Sequence, residues 1–292
     1  MTSMSSDSNL RIGLFDSGVG GLTVLRQITR QMPFESILYF GDTSRLPYGT
    51  KSPAEILQYV REIINWMLGQ GVKMVIMACN TSSALALETV QDEYDIPILG
   101  LILPGARAAV QHGQRIGVIA TPATAASRAY TNAVQEVNLQ ARVWEVGCPE
   151  FVPLIEQNQL DTLKTKEVAR KYLQLLIDQE IDTLIYGCTH YPHLEPIFRL
   201  ILPPSVSIID PAEHIVIAAN KELELMGLKN NEGVSSKFVS EASLINQART
   251  STRFCVSGSP QKFASIAQQW LGYFPQVEQV KVNEQLTISN ES

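Results

Sequence analysis

Short apolar runs and longer amphipathic stretches take turns along most of the chain. The short runs read as buried strands: Arg11 to Phe15, Ser36 to Phe40, Lys73 to Ala78, Ile96 to Leu99, Arg115 to Ala120, Ala141 to Val146, Asp182 to Tyr186 and Val206 to Ile209. The stretches between them have helical period: Leu22 to Gln31, Pro53 to Leu68, Ser82 to Glu93, Pro104 to Gln111, Thr124 to Val137, Thr162 to Gln179 and Glu213 to Leu225. Local punctuation agrees. Ser52 supplies an N-cap, Pro53 fits a first turn and Glu55 can reach back to the cap. Gly69 and Gly113 sit where helices should stop. Strands that alternate with helices in this way predict an α/β fold of doubly wound, mostly parallel sheets covered on both faces.

The pattern also repeats. "RIGLFDSG" at 11–18 returns as "RIGVIATP" at 115–122, and "KMVIMACNT" at 73–81 returns as "IDTLIYGCTH" at 181–190. Buried strands resemble one another by composition alone. The kept order and the matched cysteines, Cys79 and Cys188, favour two similar units of about a hundred residues each.

Composition narrows the class. Hydrophobic residues make up 45% of the 292 and charged residues 18%, which suits a sizeable core. Acidic residues outnumber basic ones 29 to 23, and no basic cluster offers a surface for nucleic acid. No apolar run is long enough to predict a membrane span, and the polar first ten residues read as a loose tail rather than a signal peptide. Four widely spaced cysteines without a secretion signal predict free thiols and a cytoplasmic protein.

Ligands of doubly wound sheets bind outside the carboxyl ends of the strands. Suggestive polar residues fall there. Asp16, Ser17 and Gly18 follow the first strand; Asp42, Thr43, Ser44 and then Leu46 to Gly49 follow the second; Cys79, Asn80 and Thr81 follow the third. In the second unit the equivalents are Thr121 and Thr124, then Glu150 and Glu156, then Cys188, Thr189 and His190. If the units face one another across a cleft, Cys79 and Cys188 look at one ligand from opposite sides. Two acid–base groups so placed can remove a proton from one face of a carbon and return one to the other. A thiol suits both tasks, because its ordinary pKa of ~8.5 is near working pH.

Structural readings stand beside these. A strand-end cysteine can be a small core residue, Asp16 can cap the following helix, Asp42 can make a turn, and Glu156 can be a solvated helix residue. Cys148 and Cys255 have no mirrored partner and read as structural. A metal site at Cys188, His190 and His193 is disfavoured by Pro192 and by the want of a further ligand nearby. "FDSGVGGLTVL" lacks the third glycine of a dinucleotide loop, where Thr23 stands, and lacks the Lys-Ser/Thr ending of a phosphate loop. Its amides suit a small carboxylate better. Neither cysteine motif offers a lysine for a pyridoxal Schiff base; Lys51 and Lys73, the nearest, read as surface residues. No metal and no cofactor is therefore expected.

Read together, "FDSGVGGLTVL", "GDTSRLPYG", "ACNT" and "GCTHYP" make the chain resemble the glutamate racemases of the cofactor-independent aspartate/glutamate racemase superfamily, over roughly residues 11–272. The resemblance implies two α/β domains, the first made of 1–98 plus 211–292 and the second of 99–210, with the active site between them. It implies that Cys79 acts on D-glutamate and Cys188 on L-glutamate, that Asp16 and His190 assist them, and that Asp42 and Glu156 support. Substrate contacts carried over are Asp16, Ser17, Pro47, Tyr48, Gly49, Asn80, Thr81, Thr121, Thr189 and His190. It further implies D-glutamate for bacterial peptidoglycan, and a homodimer is compatible with it. "FCVSGS" at 254–259 departs from the family's more usual run without touching a candidate residue, and Val277 onward reads as a strand and a polar tail. An aspartate or hydantoin racemase is the nearest rival. A non-catalytic nucleotide- or small-acid-binding module is the rival from another class.

Overall fold

The computed structural model describes residues 9–230 and 249–282; most of the expected N-terminal tail and the end of the C-terminal one lie outside them. Two parallel sheets organise the chain. The first has six strands in the order β10-β9-β2-β1-β3-β4, from β1 (Arg11–Asp16), β2 (Ile37–Gly41), β3 (Val72–Met77), β4 (Ile98–Gly100), β9 (Thr252–Val256) and β10 (Val277–Gln279). The second has four in the order β6-β5-β7-β8, from β5 (Arg115–Ala120), β6 (Arg142–Gly147), β7 (Thr183–Gly187) and β8 (Ser207–Ile209). The order β2-β1-β3-β4 therefore returns as β6-β5-β7-β8, which is the repeat seen in the sequence. Equivalent pairs keep it in register, with Leu14 opposite Ile76 and Val118 opposite Ile185.

Both faces of each sheet are covered, and so the central strands are buried along their length rather than alternating: all six residues of β3 are buried. On one face of the first sheet, α1 (Leu22–Gln31) and α10 (Pro211–Leu225) pack Leu22, Leu25, Ile28, Ile215 and Val216 against Ile12, Leu14 and Ile76. On the other, α2 (Pro53–Gly69) and α3 (Asn80–Val90) pack Ile56, Val60, Ile63 and Val90 against Phe15, Leu38 and Val75. Each such side chain contributes roughly 1.5–3 kcal/mol on burial. In the second sheet, α4 (Ile102–His112) and α6 (Ala129–Val137) cover one face, and α7 (Phe151–Glu156), α8 (Leu163–Ile177) and α9 (Glu195–Ile201) cover the other.

Several expectations change. The helix expected over Thr124 to Val137 is two, α5 (Pro122–Ser127) and α6, broken by left-handed Arg128. Ser127 causes the break: its Oγ donates to Thr124 O at 2.7 Å and accepts from Ala129 N, so the side chain competes with the helical ladder. Helix α2 runs through Gly69, and the glycine that turns the chain is Gly71, at φ +73°. The capping box at Ser52 and Glu55 is present. Strand β4 starts at Ile98 and pairs with β3 in the first sheet. Lys73 is no surface residue: its Nζ lies 2.6 Å from Glu35 Oε2 and donates to Leu228 O at 2.7 Å, with both charged side chains buried.

A buried pair that loses one partner leaves an uncompensated charge. Lys73→Met is expected to cost about 3–5 kcal/mol in chemical denaturation, and the double change with Glu35→Leu to recover most of it. Equal loss in the single and double variants would show that the pair is not the source.

Candidate active site

Each sheet delivers a thiol at the carboxyl end of a matched strand. Strand β3 ends at Met77 and α3 starts at Asn80, so Cys79 is that helix's N-cap residue, in extended conformation. Amides of Ser82 and Thr81 point at its sulfur. Strand β7 ends at Gly187, and Cys188 follows before the short 3-10 turn Tyr191–Leu194. Both cysteines line one cavity of about 480 Å³ between the two sheets. Asp16, Ser17, Pro47, Tyr48, Gly49, Asn80, Thr81, Thr121, Glu156, Thr189 and His190 line it too.

The two thiols sit in different fields. Beside Cys188, His190 Nδ1 is 3.8 Å from the sulfur and Nε2 is 3.1 Å from Glu156 Oε1. Burial pushes the His190 pKa down, but its bonds to Cys188 and Glu156 and the charge of Asp16 outweigh this and hold it up, at about 10. His190 is thus an imidazolium at neutral pH. Beside Cys79 stands a carboxylate, Asp16, whose Oδ2 accepts from Gly18 N at 2.9 Å. Burial, then Asp16, then Cys188 push the Cys79 thiol up to about 12, against the amides of Ser82 and Thr81. Burial also raises the Asp16 carboxyl, although the His190 charge and loop amides oppose it. Asp16 is not the cap of α1: the N-cap residue is Gly21, with no side-chain cap.

Hydroxyls and amides complete the walls. Thr81, Thr121 and Thr124 form a triangle of hydroxyls 2.9–3.1 Å apart that joins α3 to α5. Tyr130 donates to Asn80 Oδ1 at 2.6 Å. Asp42, expected to support the site, does not line the cavity. It lies beneath the cavity wall, fully buried, accepting from Tyr48 Oη and Ser257 Oγ and paired with Arg45. It reaches the cavity only through the Tyr48 ring. Cys148, read as structural, does line the cavity, and the strand-end rule could have found it directly after β6. Ile266 arrives from the helix Pro260–Leu271 (α11), with no local signal in its sequence. His193 packs on Trp270, with 3.9 Å between ring centroids. Among the described residues no group of three His, Cys, Asp or Glu is placed to hold a metal ion. Among them, too, no helix is long and apolar enough to cross a membrane.

This architecture of paired parallel sheets is that of solved amino-acid racemases. A glutamate racemase isoform of Bacillus anthracis superposes with a TM-score of 0.85 at 36% identity, over 94% of this chain and 98% of that one. A Francisella tularensis glutamate racemase solved with D-glutamate gives 0.83 at 35%, over 94% and 99%. A glutamate racemase of Gloeothece citriformis is 63% identical over 269 residues, 92% of this chain and 91% of its own. The model of the Asp/Glu/Hydantoin racemase family matches residues 12–219. The chain belongs to the Asp/Glu/Hydantoin racemase family, and it is an isomerase.

Because its pKa rises from an ordinary 6.5 to about 10, His190 stabilises the fold; that contribution is complete below pH 6.5 and is lost as pH climbs through about 10. Histidine-selective nitrogen NMR should find His190 protonated across the neutral range, and Glu156→Gln should move its titration down toward neutrality. A midpoint near 6.5 in the unaltered protein would contradict the Glu156–His190–Cys188 geometry.

Proposed function

We propose that the protein interconverts L- and D-glutamate without a cofactor, Cys79 and Cys188 exchanging the α-hydrogen on opposite faces of the substrate. The observation that carries this reading is the meeting of two thiols, from equivalent strand ends of two similar sheets, in one cavity. The relatives named above are glutamate racemases, and one neighbour was solved with D-glutamate. The domains that enclose the substrate divide just past Gly100, where β4 ends, and again at Pro211, where α10 returns to the first sheet's core.

With L-glutamate bound, the thiolate of Cys188 takes the α-hydrogen and the thiol of Cys79 delivers one to the opposite face. The C–H electron pair stays on the α-carbon and then forms the new C–H bond. D-glutamate leaves a protonated Cys188 and a Cys79 thiolate, the state from which the reverse reaction starts. The charge of Asp16 favours the protonated form of Cys79, and His190, oriented by Glu156, serves Cys188. Asp42 supports Tyr48 from beneath.

The α-hydrogen is far less acidic than a thiol, so the cavity must stabilise the carbanion, and each ~1.36 kcal/mol of stabilisation is worth about tenfold in rate. Ser17, Asn80, Thr81, Thr121 and Thr189 supply donors for the two carboxylates, and Pro47, Tyr48 and Gly49 line the same cavity. Asp16 faces the ammonium. The product suits peptidoglycan synthesis in a bacterial cytoplasm.

Cys79→Ser and Cys188→Ser should each lower kcat by at least ~10²-fold with the fold intact, because a serine hydroxyl is far too weak an acid to replace a thiol. Racemisation in heavy water should place deuterium chiefly in the newly formed enantiomer. Early, equal labelling of the remaining substrate, or an active double serine variant, would refute the two-thiol assignment. Inversion of aspartate but not glutamate would refute the substrate.

A further inference from the structure

We infer that Tyr130 is a positioning residue of the racemisation, its hydroxyl fixing Asn80 so that the amide NH₂ faces the cavity as a donor to the substrate's α-carboxylate. This rests on the glutamate-racemase reading. Tyr130 belongs to α6, on the second sheet, and is fully buried. Its hydroxyl donates to Asn80 Oδ1 at 2.6 Å. Asn80 opens α3 on the first sheet, directly after Cys79, and lines the cavity while 3% exposed.

An amide side chain has one acceptor oxygen and two N–H donors. With the oxygen engaged by Tyr130, the polar group that Asn80 can turn to a ligand is N–H. The phenol holds that choice firmly. Its ring has only two torsions and is seated against Gly105, where an added Cβ would lie 3.4 Å from Tyr130 Cε1. The bond also crosses from one sheet's helices to the other's, so the orientation of Asn80 is set by the docking of the two units.

The consequence is kinetic. As the α-hydrogen leaves, negative charge spreads onto the α-carboxylate, and a fixed N–H there binds the transition state better than the substrate. Donation from the phenol to the amide oxygen strengthens that N–H as a donor. The Tyr130 hydroxyl should therefore act on kcat more than on KM.

The test follows glutamate racemisation by circular dichroism in four proteins: unaltered, Tyr130→Phe, Asn80→Ala and the double variant. Tyr130→Phe is expected to lower kcat about tenfold from either enantiomer, with KM within about twofold. In the Asn80→Ala background the same change should alter kcat/KM less than about twofold, since the group it orients is gone. Unchanged kcat in folded Tyr130→Phe, or equal loss in both backgrounds, overturns the inference. Asn80→Asp provides a variant that does not disturb Tyr130: it keeps the acceptor but replaces the donor with a carboxylate. A loss of about a hundredfold or more is expected, and near-normal turnover overturns the inference. An unaltered protein that fails to racemise glutamate faults the functional reading instead; an active one with additive losses faults Tyr130.

Discussion

The carboxyl ends of two sheets have to meet closely enough for side chains from both to touch one small molecule, and everything else in the structure serves that approach. Glycine makes it sterically feasible. A Cβ on Gly20, in the loop after β1, would lie 2.3 Å from Thr189 Oγ1 and 2.6 Å from His190 Nδ1. A Cβ on Gly49 would lie 2.8 Å from Thr121 Cβ. At these positions the value of glycine is space, not an unusual torsion, because the segment after Cys188 packs directly on the loop after β1. The hydroxyl triangle of Thr81, Thr121 and Thr124, and the Tyr130–Asn80 bond, tie the same seam with polar contacts. Burying that seam is also what desolvates both thiols.

Symmetry of the backbone carries unequal electrostatics. The duplicated strands place two sulfurs in corresponding positions, yet one faces a carboxylate and the other an imidazolium. The Cys79 side is a thiol kept protonated by burial and by Asp16. The Cys188 side has a cation at 3.8 Å, itself secured by Glu156. The two matched sulfurs thus differ in their charged neighbours rather than in their place on the backbone.

Much of this was readable from the residues alone, for physical reasons. Strands buried on both faces and helices with clear caps announce themselves, and α1 and β5 fall on the residues expected, Leu22–Gln31 and Arg115–Ala120. The strand-end rule brought out most of the cavity's polar lining. The rule does not say which way a side chain points: Asp42 turns down to Tyr48 and Ser257 rather than into the cavity. It passed over Cys148, which lacked a mirrored partner. Strand β9 opens with Thr252 and Arg253, half-exposed polar residues that conceal the apolar Phe254–Val256. Ile266 reaches the cavity, and Trp270 reaches His190, only through the packing of α11, a tertiary relation that no local pattern encodes.

The central claim concerns where two sulfur atoms stand relative to one carbon. A crystal structure with glutamate bound, at resolution sufficient to fix the α-carbon, measures this directly. The account predicts Cys79 Sγ and Cys188 Sγ on opposite faces of that carbon, each within roughly 3–4 Å, the range of a reacting pair. Both sulfurs on one face, or either one out of contact with the α-carbon, would contradict it.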